Sequence, residues 1–159
     1  METTSFSGDL NIMQNKYINP TDAAAVALFS KNIVGEIVML NMIKFNKTAN
    51  YIESPQLAPD QEITGQQAYQ LYMQHTAPFL AASGGEVIFM GEASNYFIGP
   101  QDSQWDLVFL VRQKSLKHFM DFASNQEYLA GIGHRTAAVE DSRLLPITPI
   151  NNKNKRENA

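Results

Sequence analysis

The sequence has no cysteine. That excludes disulfides, thiolate nucleophiles and thiolate metal sites. Histidine is scarce too: the three residues are scattered, without HxH or HExxH spacing, so no zinc site is expected. No apolar run is long enough to span a bilayer. The opening stretch "METTSFSGDLNIMQN" lacks the basic and apolar regions of a secretory signal. A cytoplasmic protein without a membrane partner is the expectation. The charge balance is -4, without the clustered basic surface that nucleic-acid binding requires. "GIGHRT" lacks the third glycine and the preceding strand of a dinucleotide fingerprint, and no GxSxG or Walker pattern occurs. No metal and no tightly bound cofactor is expected.

What is present reads as one domain: 159 residues, 44% hydrophobic and 18% charged. Thr21 or Asp22 caps a short helix over "DAAAVALFSKN", ended by Gly35. Glu36 to Phe45 is nearly all apolar, as in a strand covered on both faces. Residues 46–65 are rich in Pro, Asn and Asp and read as a long loop, often a functional lid. From Thr64 to Ser83 the period is helical, with Ala68, Leu71, Tyr72, His75, Phe79 and Ala82 on one face. Pro78 predicts a kink or break there. "EVIFMGEA" is a second strand, with "NYFIG" as an extension or bulged continuation, and Trp105 to Gln113 a third.

Ser115 caps the next helix, with Leu116, Phe119, Met120 and Ala123 inward. Ser124 and Glu127 are spaced as a capping box, predicting a second helical start that runs to about Asp141. "RLLPI" is a short last strand that Pro146 stops or puts on an edge. The order β-α-β-β-α-β, with one helix ahead of it, is the ferredoxin-like α+β plan: an antiparallel sheet with two main helices on one face. Because the strands are apolar on both faces, the face without helices needs cover, and a sheet-to-sheet homodimer is the simplest. Residues 16–148 form this domain, and 1–15 and 149–159 are expected to be flexible segments.

Four segments, "VMLNMIKF", "AYQLYMQHTAPFLAASGGEVIFMGEA", "IGPQDSQWDLVFLVRQKS" and "FASNQEYLAGIGHRTAAVEDSRLL", resemble the domain of unknown function 1330 family. The resemblance covers Asn19 to Ile147 and implies the dimeric α+β barrel superfamily. That superfamily includes cofactor-free monooxygenases, isomerases and haem-handling proteins, among which fold alone does not choose. The polar positions that match are Asn41, Tyr72, Asp106, Arg112, His134, Arg135, Asp141 and Arg143. His75 stands outside the resemblance.

At 100° per residue, Tyr128, Ile132, Arg135 and Val139 fall on one stripe, which puts a guanidinium on an apolar face. A charge so placed needs a partner. Asp106, Glu92 or Asp141 would make that partner structural, whereas a substrate carboxylate or enolate would make it functional. His75 sits mid-stripe on its helix. An inward histidine is ordinarily a satisfied core residue, but it is also the best acid-base candidate here, with His134 second. Asn41 within an apolar strand can orient a carbonyl or hold developing negative charge. Tyr72 and Asp106 complete the candidate ligand-binding set with Asn41 and Arg135. Met42, Met73, Met90 and Met120 read as gap-filling core.

The function these readings support is a small-molecule enzyme, monooxygenase- or isomerase-like and without a tightly bound cofactor. It acts on a partly apolar carbonyl or carboxylate compound in a pocket between sheet and helices. The alternatives are a non-catalytic dimeric module that binds a small ligand or a partner segment, and a haem-binding protein using His75 or His134.

Overall fold

The computed structural model describes residues 15–150. The expectations for the flexible segments lie almost wholly outside them. Helix α1 spans Asp22–Phe29, with the Thr21 side chain accepting from the amide of Ala24. Strand β1 follows at Ile37–Phe45. Helix α2 is Gly65–Ala82, closed at its start by a reciprocal capping box between Thr64 and Gln67. Strands β2, Glu86–Glu92, and β3, Leu107–Gln113, come next. Three short helices, α3 (Leu116–Ala123), α4 (Gln126–Leu129) and α5 (Ile132–Ala138), lead into β4, Val139–Ile147. The sheet is antiparallel with strand order β2-β3-β1-β4, which is the ferredoxin-like fold. No described helix is long and apolar enough to cross a membrane.

The register separates two faces. Under the helices run the rows Val87–Val111–Met39–Pro146, Met90–Phe109–Asn41–Leu144 and Glu92–Leu107–Ile43–Ser142. Ile43 is buried there with Ala68, Tyr69 and Tyr72 of α2, while Ile37 and Met39 are buried in a second cluster with Leu116 of α3 and with Leu28 and Phe29 of α1. On the face without helices the central row is Phe89–Leu110–Leu40–Leu145, which crosses all four strands. Phe89 and Leu145 are 59% and 57% exposed. Charge flanks this row, as the Glu86–Arg112 ion pair on one side and Arg143 on the other.

Several local expectations are corrected. Helix α2 runs unbroken through Pro78, and its buried face is Gly65, Ala68, Tyr69, Tyr72 and Thr76. Ala82 is exposed and Leu71 only half-buried. Met120 is 41% exposed, and Phe122 packs against the core in its stead. Ser124 does not form the capping box. It ends α3, where its hydroxyl donates to the Met120 carbonyl, so Asn125 becomes the cap and accepts from the amides of Glu127 and Tyr128. The helix expected to reach Asp141 breaks at Gly131 and ends at Ala138, because Val139 is already paired with Phe45. The last strand therefore starts four residues before "RLLPI". "NYFIG" continues the β2–β3 pairing only at Asn95, which bridges to Gln104 in the same register after the named strand has ended at Glu92; residues 93–106 form a hairpin arm beyond the sheet.

Candidate functional site

Arg135 lies on α5, half-buried, where the first turn of β4 and the chain segment before α1 meet. One guanidinium nitrogen donates to the Ile18 carbonyl at 2.6 Å and another to Ser142 Oγ at 3.2 Å. Neither acceptor is charged. The carboxylates expected to pair with it are engaged elsewhere: Asp106 Oδ2 accepts from the Phe45 amide at 2.8 Å, and Asp141 Oδ1 accepts from the Tyr17 amide and from Arg143. Glu92 is exposed at the end of β2.

Around the guanidinium stand Tyr69 and Tyr128, with Tyr72 beside them. The hydroxyls of Tyr72 and Tyr128 are 2.6 Å apart. Burial pushes the Tyr69 and Tyr128 phenols well above their ordinary range, the neighbouring Tyr72 adds to the rise, and Arg135 pulls against it. Both therefore stay protonated at neutral pH and can donate hydrogen bonds. The result is a cation and a group of phenol donors set together in a low-dielectric interior, with no carboxylate among the described residues to neutralise them.

The histidines flank this cluster. His75 Nε2 lies 2.8 Å and 3.2 Å from the carbonyls of Glu127 and Tyr128, which only accept, so Nε2 carries the proton. The absent side chain of Gly131 makes this approach possible: a Cβ there would sit 2.2 Å from His75 Cδ2. His134 Nδ1 shares a hydrogen bond of 2.8 Å with the Tyr51 hydroxyl. Its pKa is lowered, first by burial and then by the charge of His75. Gly133 gives room in the same way to the loop, since a Cβ would meet Ser54 Oγ at 2.4 Å. The long 46–65 loop is thus strapped onto α5, a placement reinforced by the Asn50 amide donating to the Ala137 carbonyl at 2.9 Å.

Asn41 and Asp106 stand apart from the cluster. Asn41 is on the helix-covered face, between the packing groups of Ile43 and Met39, and its Nδ2 donates to the Met39 carbonyl at 3.2 Å. Asp106 secures the Phe45 amide where the β1–β4 register shifts. It also lines an open cleft of about 550 Å³ between the sheet end and α2, with Phe45, Lys47, Gln66, Gln70, Met73 and Leu107. The cleft meets the tyrosines through Phe45, whose ring centroid is 5.5 Å from that of Tyr69. Among the described residues no three His, Asp or Glu side chains come together as a metal-ligand set.

The sequence reading brought His75, Tyr72, His134 and Arg135 to one region and missed Tyr69, Tyr128 as a hydroxyl donor, and Tyr51. Tyr69 is the largest of the nearly inaccessible side chains. A helical stripe shifted by one residue would have found it.

No protein-family model and no curated protein matches the chain. A solved structure of methylated RPA0582 protein is 34% identical, with a TM-score of 0.75 over 87% of this chain and 98% of that one. A second structure of RPA0582, from Rhodopseudomonas palustris and described as a protein of unknown function, gives 34% identity and a TM-score of 0.74 over 86% and 98%. A dimeric ferredoxin-like protein of unknown function from Thermobifida fusca is 10% identical, with a TM-score of 0.43 over 72% and 92%.

Proposed function

The chain belongs to the family of the Rhodopseudomonas palustris RPA0582 protein, and from that premise we propose that it is a cytoplasmic, homodimeric enzyme of the domain of unknown function 1330 type. It acts without a tightly bound cofactor, in the manner of a monooxygenase or isomerase, on a partly apolar carbonyl or carboxylate compound. One observation carries this reading: among the described residues the Arg135 guanidinium is met only by uncharged oxygens, and it sits with the hydroxyls of Tyr69 and Tyr128. A carboxylate or an enolate oxygen supplies the negative charge that such a group of donors stabilises. His134, biased toward its neutral form, takes the proton. His75 is the alternative, and to act it must first leave the carbonyls of Glu127 and Tyr128. Haem ligation through its Nε2 would require the same rupture. The apolar row Phe89–Leu110–Leu40–Leu145, flanked by charge, has the core-and-rim character of a two-fold interface.

The test is a thermal-shift screen of small aromatic and keto acids against their neutral methyl esters, on the wild type and Arg135→Met. Ligand binding raises the melting temperature with concentration. The acids should stabilise the wild type, the esters should not, and Arg135→Met should abolish the difference. Equal stabilisation of both proteins by an acid would overturn the role given to Arg135. A non-catalytic binding module is favoured by a different observation, the open cleft lined by Gln66, Gln70 and Met73 but by no histidine. Filling that cleft with Gln70→Trp should remove ligand shifts under the second reading and leave them unchanged under the first.

A further inference from the structure

We infer that the hairpin arm of residues 93–106 is a docking element for a second copy of this chain, seated by Phe97 and Ile98; the inference rests on the homodimer proposed above. Phe97 is 99% exposed and Ile98 88% exposed, side by side. Isolated exposed apolar residues are ordinary, but an adjacent pair on a braced arm is not. The arm is braced at its base and on either side of Phe97 and Ile98. Ala93 donates to the Asp106 carbonyl at 3.0 Å and Trp105 to the Ser94 carbonyl at 3.1 Å, and Asn95 bridges to Gln104. The Trp105 indole donates to the Tyr96 hydroxyl. Gly99, at φ 156°, lies so close to the Tyr96 ring that a Cβ would come within 2.6 Å of it. Phe97 and Ile98 are thereby presented outward without the ordering cost that a loose loop would incur on binding.

The arm is also tied to the face that the proposed dimer would use. Trp105 packs under the Arg143 guanidinium, 5.3 Å from the ring centroid. Arg143 lies opposite Met42, in the row next to Leu40 and Leu145 on the face without helices. Area makes the same point. Four strands at ~4.8 Å spacing, each of about eight residues at ~3.3 Å, give a flat face of about 500 Å² per copy. Two such faces bury about 1,000 Å², short of the ~1,600 Å² of a standard stable interface. Phe97 adds about 200 Å² per copy and Ile98 about 100 Å². Contributed by both copies, they close the gap. The charge of the arm points away from a lipid surface: from Ser94 to Gln104 its one ionisable acid or base other than Tyr96 is Asp102, and it holds no lysine or arginine.

The chain's lack of cysteine allows a direct test. Sedimentation velocity across a dilution series gives the dimer Kd of the wild type, of Phe97→Ser/Ile98→Ser and of the face variant Leu40→Glu. Ile98→Cys carrying a benzophenone maleimide is irradiated in parallel. The arm pair should weaken the dimer by at least about 100-fold, and the probe should crosslink to a second copy. A wild-type dimer with unchanged Kd in the arm variant, or a probe that marks only its own chain, would overturn the arm's role while leaving the dimer intact. A monomeric wild type would overturn the dimer itself and the arm's partner with it. Association of the wild type, but not the arm variant, with phosphatidylcholine vesicles would assign Phe97 and Ile98 to a lipid surface and refute the second copy as occupant.

Discussion

Gly131→Ala is the perturbation whose cost the structure fixes most tightly. The added Cβ would fall 2.2, 2.5 and 2.6 Å from Cδ2, Cγ and Nε2 of His75, about 1 Å inside ordinary contact distance. The ring has to retreat, and its Nε2–H then loses the carbonyls of Glu127 and Tyr128. Overpacking of this kind costs about 1–3 kcal/mol and the lost hydrogen bonding about 1 kcal/mol more. Against this, alanine in place of glycine returns up to ~1 kcal/mol of backbone entropy. Gly131 has φ -102° and ψ 0°, which alanine tolerates. The net expectation is destabilisation by about 1–3 kcal/mol, read as a lower urea midpoint at unchanged slope. The decisive arm is a double-mutant cycle. In a His75→Ala background the ring is gone, and Gly131→Ala should be neutral or stabilising. An equal cost in both backgrounds would refute the idea that this glycine exists to admit the histidine.

Arg135→Met removes bonds to two uncharged acceptors and strands no carboxylate among the described residues, so it should cost about 1–3 kcal/mol in urea denaturation rather than the ~3–5 kcal/mol of a broken buried ion pair. Asp106→Ala leaves the Phe45 amide without its acceptor and should cost about 1–3 kcal/mol, while Asp106→Asn keeps an oxygen there and should cost less; equal midpoints for the two would refute the assignment. Because the pKa of His134 is lowered in the folded state, the unfolded chain binds its proton first as pH falls below about 6.5. This residue's contribution to stability is therefore complete above that pH and declines below it, until the folded-state histidine is itself protonated. His134→Gln should flatten that part of a stability-versus-pH curve, and an unchanged slope would show that another group titrates there.

The fold was legible wherever a local pattern met no competitor. Ser115 and Thr21 cap the helices they were expected to cap. The long apolar run became β1. The readings that failed did so where a distant partner overrode local preference. Ser124 satisfies the capping-box spacing, but the end of α3 claims its hydroxyl. Residues 139–141 continue a helical pattern, yet β1 takes Val139 and Asp141 as strand partners. Arg135 was placed toward the interior by helical spacing. Its uncharged surroundings depend on Ile18, 117 positions away, a contact that no periodicity reveals. Tyr51 was hidden in a loop whose polar composition gave no sign that it packs against His134.

Tyr17 also determines how a crowd of these molecules behaves. A sheet with both margins bare recruits a strand on either side, and its growth has no natural stop. At the β4 margin the outward amide of Ser142 is already taken by the Tyr17 carbonyl. Two residues on, Leu144 has the next outward amide, and two further on Pro146 has none to offer. Among the described residues the β4 margin thus has one outward amide taken by the chain's own backbone, one replaced by proline and one, at Leu144, open, and β2 is the other margin. Pairing through β2 would consume the free margin of both participants at once. Within one sheet, further pairing would then have to use the β4 margin, where Tyr17 and Pro146 leave few outward donors, so the fibre that an exposed, apolar β2 would otherwise seed is disfavoured at the opposite edge.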